Sequence, residues 1–105
     1  MSRRRRGAPE LIVIYWRDIP AQVTASMAGV KETRVLEDRF QHAIDRAAAV
    51  AGLTETQAYV GEWRREAHPL EGDPAAAADD VATQIHTDYD PHRLEALVQA
   101  GGLAN

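Results

Sequence analysis

The sequence predicts an α+β domain in which a small antiparallel sheet of two to three strands, formed in the N-terminal half, is covered by three to four helices. Three observations predict it. Leu11 to Trp16 is one apolar run of β-branched and aromatic residues, and the segments after it alternate apolar and polar residues at period two. From about Glu37 onward the apolar residues recur instead at three- and four-residue spacing. A chain of 105 residues has room for one such domain. Much of its hydrophobic content is alanine, so the core must lean on Tyr15, Trp16, Phe40, Tyr59, Trp63 and Tyr89, which bury far more area each.

The run Leu11-Ile12-Val13-Ile14-Tyr15-Trp16 has apolar residues on both faces, as expected of a central strand. Asp18-Ile19-Pro20 follows, and because proline cannot donate to a ladder the chain should turn there before a second extended stretch, Gln22 to Met27. In that stretch Val23, Ala25 and Met27 alternate with Gln22, Thr24 and Ser26, the pattern of a strand with one wet face. Ala28-Gly29 offers a turn into a third strand, Val30 to Val35, completing a meander.

A first helix carries the stripe Leu36, Phe40, Ala43, Ile44, Ala47, Val50 and Ala51 and should end at Gly52. Thr54-Glu55-Thr56-Gln57 reads as a capping box opening a second helix, with Tyr59, Val60, Trp63 and Ala67 inward until His68-Pro69 interrupts it. Asp73-Pro74 and Asp90-Pro91 repeat one start signal, aspartate at the N-cap and proline at the first helical position. They open a third helix running to about Tyr89 and a short fourth that stops at Gly101-Gly102.

Charge and composition narrow the function. Four arginines, Arg3 to Arg6, fall in residues 1–10, which are expected to form a disordered basic arm before a single domain over residues 11–105. Outside that arginine run the chain holds 16 acids against 8 bases, a balance of −8, which disfavours nucleic acid on the folded domain. Cysteine is absent, which excludes a thiolate nucleophile and cysteine-ligated metal sites. The longest apolar run is far shorter than a membrane span, and the arginines lead into no signal-peptide apolar region, so a cytoplasmic protein without membrane contact is expected.

The segment Ile14-Tyr15-Trp16-Arg17-Asp18-Ile19-Pro20-Ala21-Gln22-Val23, with Arg39-Phe40, Ala43-Ile44-Asp45, Tyr59 and Trp63-Arg64, resembles the conserved virulence-factor domain of bacteria. That domain occurs alone as a short protein and as part of larger ones. The resemblance implies an accessory role without an assigned reaction. For stand-alone members it implies a partner in folate- and corrinoid-dependent one-carbon metabolism.

The candidate binding residues are Tyr15, Arg17, Asp18 and Arg39. Arginine suits bidentate recognition of a carboxylate or phosphate, and Tyr15 would add a hydroxyl from the same side of the strand. Strand alternation sends Trp16 and Asp18 to the other side, so the four residues of this run cluster only if the strand bulges. The competing structural reading makes Trp16 core, Asp18 a turn cap and Arg17 the partner of a nearby acid. His86, Asp88, Asp90 and His92 lie within seven residues, but Asp90 is already engaged as a cap and the spacing does not make a metal site. Trp63 reads as core, and His42 as a polar flank of the first helix.

No catalytic, metal or cofactor residues are assigned. The expected function is a cytoplasmic accessory domain that presents Tyr15, Arg17 and the Asp18-Ile19-Pro20 turn to a protein partner. Strand addition at an exposed sheet edge gives a route to a homodimer. The alternative is a small enzyme, or a subunit of a one-carbon metabolic complex, that binds an anionic ligand through Arg17 and Tyr15.

Overall fold

The computed structural model describes residues 9–104; the arginine run lies outside them. Three strands come first, β1 (Glu10–Trp16), β2 (Ile19–Met27) and β3 (Val30–Val35), followed by helix α1 (Asp38–Ala51). A single-turn helix α2 (Thr56–Val60) leads into strand β4 (Trp63–His68), and α3 (Pro74–Asp88) and α4 (Pro91–Gln99) complete the chain. The sheet is antiparallel throughout, in the order β3-β2-β1-β4.

The α+β class and the meander agree with the sequence reading, but the sheet has four strands, one more than the upper expectation. The extra strand is β4, from the segment read as the second half of a helix. Trp63 and Ala67 fit a helical spacing, yet Gly61 closes α2 after five residues and the chain returns extended along β1. The cause lies in β1 itself. In a three-strand meander β1 would be an edge, and a strand so apolar with one ladder unpaired exposes both its side chains and its backbone groups. The Thr54 capping box is also absent: Glu55 is the N-cap of α2, with no side-chain cap bond.

The two hairpins are tight. Ala28 and Gly29 both have positive φ, 53° and 85°, the primed geometry that matches strand twist. Arg17 and Asp18 join β1 to β2, with Arg17 at φ 52°. Pro20, expected outside the strand, lies within β2 beside a register shift: Ile14 faces Gln22, but Tyr15 faces Pro20, leaving Ala21 as the extra residue. A bulge tolerates a residue that cannot donate.

One sheet face is buried by helices. Leu11, Val13, Val23 and Ala25 join Phe40, Ile44, Ala78 and Val98 in a single core with Trp16 and Ile19. The three sequence-predicted helix boundaries hold: Gly52 caps α1 at φ 75°, and the Asp73 and Asp90 carboxylates accept from the amides of Ala76 and Arg93 at 2.9 and 2.8 Å. Both outer strands carry charge, Lys31, Glu32 and Arg34 on β3 and Arg64, Arg65 and Glu66 on β4, a composition that discourages further strand pairing.

Candidate functional site

The β1–β2 turn brings three of the predicted residues, Tyr15, Arg17 and Asp18, together through a side chain that sequence reading had placed on a helix. The Arg64 guanidinium lies over the Tyr15 ring at 4.3 Å. Its Nε donates to the Arg17 carbonyl at 2.9 Å, and its Nη2 to Asp18 Oδ1 at 3.1 Å. Arg64 reaches all three because β4 runs beside β1, with Tyr15 opposite Arg64. Burial, and then the neighbouring Glu66 carboxylate, raise the Tyr15 hydroxyl above its ordinary pKa. The hydrogen bond from Arg64 in turn holds Glu66 below the usual carboxylate range.

Arg17 is spent on the fold. Its Nε donates to Glu62 Oε1 at 2.8 Å and its Nη1 to the Gly101 carbonyl at 3.2 Å, and the guanidinium packs 5.5 Å from the Trp16 ring centre. Its side chain is 18% exposed. Asp18 is tied as firmly: its amide donates to the Gly102 carbonyl at 2.8 Å, and its Oδ2 accepts from the Ala104 amide at 2.7 Å. Ile19 and Pro20, expected at an exposed turn, are buried. The corner therefore sets Arg17 and Arg64 against Glu62, Asp18 and Glu66 in a charge-compensated network.

Arg39 stands apart from these residues. It binds the C-terminal end of α3, donating from Nη1 to the Tyr89 carbonyl and from Nη2 to the His86 carbonyl at 2.8 Å, while Nε meets Glu37 Oε1 at 2.8 Å. The His86 ring accepts the Glu37 amide at 3.2 Å. His42 borders a shallow groove of about 260 Å³ between α1 and α4, which Arg46 and Glu95 bridge with paired contacts at 2.7 and 3.0 Å. Among the described residues no group of three or more histidines and acids converges as a metal site.

A broad concavity lies on the sheet face opposite the helices. It measures about 390 Å³ and is lined by strand residues alone, with Ile12 and Ile14 at its floor and Glu10, Gln22, Thr24, Ser26, Lys31 and Arg65 around them. Ile12 is 8% exposed, yet it does not belong to the core under the helices. Thr24 and Thr33 share a hydroxyl contact of 3.3 Å beside it, and Val35, in the same row as Gln22 and Ile14, is 76% exposed. The sequence carried this signal in two halves: the polar alternation of Gln22, Thr24 and Ser26, and the apolar residues on both faces of β1. Arg65 had no signal, because its strand was read as helix.

These features define a two-layer α+β domain in which one sheet face is left uncovered by the described residues, and in which Arg17, Arg39 and Arg64 bond within the fold. The family model described as Virulence factor matches residues 14–98, and the chain belongs to that family. Neither a curated protein nor a solved structure matches the chain. No helix among the described residues is long and apolar enough to cross a membrane.

Proposed function

We propose that the protein is a cytoplasmic accessory domain that binds a protein partner through the uncovered sheet face. The observation that carries this reading is the shallow basin floored by Ile12 and Ile14 and rimmed by polar and charged side chains. An apolar centre with a polar rim is the anatomy of a non-obligate protein interface. The sequence-level expectation placed the partner on Tyr15 and Arg17 instead. The compensated network around Arg17 supports a structural role for that corner, and it weakens the alternative of an anionic ligand, with or without catalysis, held by Arg17 and Tyr15.

Val35→Asp and Ile14→Asp test the reading in the full chain. Val35 is largely exposed, so its replacement leaves the melting transition in place. Both variants are expected to lose a stoichiometric partner that the wild type retains from host extract. Retention by both variants, or recovery of a small metabolite in place of a protein, would overturn it.

A further inference from the structure

We infer that the partner segment seated on the open sheet face is an acidic amphipathic helix, a conclusion that rests on reading this face as the docking surface. Charge decides the sign. Arg17, Arg34, Arg39, Arg46 and Arg64 each form a salt bridge with an acid. Lys31, Arg65 and Arg93 have no ion pair among the described residues; Arg93 lies on α4 over the Tyr89 ring, whereas Lys31 and Arg65 both border the basin, on the outer strands to either side of its apolar floor. Glu10, the first residue of β1, also lines the basin, at one end of the floor. The chain as a whole is acidic, so two cations without ion pairs on one face make it a favourable place for an acidic segment.

Shape decides the secondary structure. Four strands spaced by ~4.8 Å make a floor ~14 Å wide, and the seven residues of β1 run for ~23 Å. A helix of about 16 residues is ~24 Å long and ~10 Å across, so it fits along the strands. Its apolar stripe would cover Ile12 and Ile14, as α1 and α3 cover the other face, and acids on its flanks would meet Lys31 and Arg65. Nucleic acid is a poorer match, because no aromatic side chain lines the basin to stack a base.

The test titrates the full-length protein with two labelled synthetic peptides of about 16 residues. Both carry the same leucine stripe, one flanked by glutamates and the other by lysines. Fluorescence anisotropy should show the glutamate peptide binding at least tenfold more tightly. The preference should fade with added salt and be lost in the Lys31→Glu, Arg65→Glu double variant, whose exposed positions keep it folded. Val35→Asp should weaken the glutamate peptide severalfold. Equal affinity for the two peptides overturns the inference, as does stronger binding of a single-stranded oligonucleotide. Sedimentation of the protein alone separates this failure from failure of the face itself. A dimer abolished by Val35→Asp would keep the face as an interface while replacing the acidic helix with a second copy.

Discussion

Gly102→Ala should be among the most damaging single-methyl changes in this protein. Gly102 sits at φ +93°, and a Cβ added there would lie 2.9 Å from Cζ3 and 3.3 Å from Cε3 of Trp16. The Trp16 ring is fully buried and its indole N–H is fixed to the Tyr59 carbonyl at 2.8 Å, so it cannot swing aside cheaply. Positive φ costs an alanine about 1–2 kcal/mol. Overpacking of a closed core adds about 1–3 kcal/mol. The total of about 2–5 kcal/mol is a large share of the stability of a small domain. Gly72→Ala is the matched control, with φ +83° and nothing within 4 Å of the added carbon. Urea unfolding of both variants isolates the collision, since the backbone cost is common to the two. A Gly102→Ala loss equal to that of Gly72→Ala would refute the close approach to Trp16.

Arg17→Ala should cost about 1–2 kcal/mol by removing its bonds to Glu62 and Gly101, a value discounted because Glu62 is more than a third exposed; unchanged unfolding would return Arg17 to a binding role. Trp63, half-buried with its ring 6.0 Å from Tyr59, should lose about 2 kcal/mol on change to alanine, whereas buried Trp16 should lose about 3–5 kcal/mol, and the same denaturant series ranks the two. Glu95 is held at about 2, against an ordinary 4.5, chiefly by its hydrogen bond from Arg46. Its folded value is depressed, so the contribution of the pair is complete above 4.5 and fades as pH falls towards 2. Carboxyl NMR titration should find that midpoint in the wild type and a return towards the ordinary value in Arg46→Ala.

Sequence reading located the first three strands and three helices because their signals are local. The apolar run of β1, the alternation of β2, the paired Asp-Pro starts and Gly52 each act over a few residues. What it missed depended on distant partners. Half of the residues of β4 are charged, and pairing along the edge of β1 makes it extended; Trp63 and Ala67 alone are compatible with either periodicity. Pro20 was read as a turn because the bulge that admits it is a property of two strands together. At the predicted site, Tyr15, Arg17 and Asp18 stand out in the sequence as one short run. Their common partner Arg64 and the tail carbonyls of Gly101 and Gly102, which accept from Arg17 and Asp18, were not legible, since both arrive from far along the sequence.

The contact between Asp18 and Gly102 also sets a condition on folding speed. Its two residues lie more than eighty positions apart, and Arg17 and Asp18 reach Gly101 and Ala104 over similar separations. Each such contact closes a loop spanning most of the domain, so its entropic cost falls on a step that local helix formation cannot hasten. The Asp18 amide should consequently exchange with solvent only when both ends of that loop part company, which makes one proton a reporter on the whole circuit.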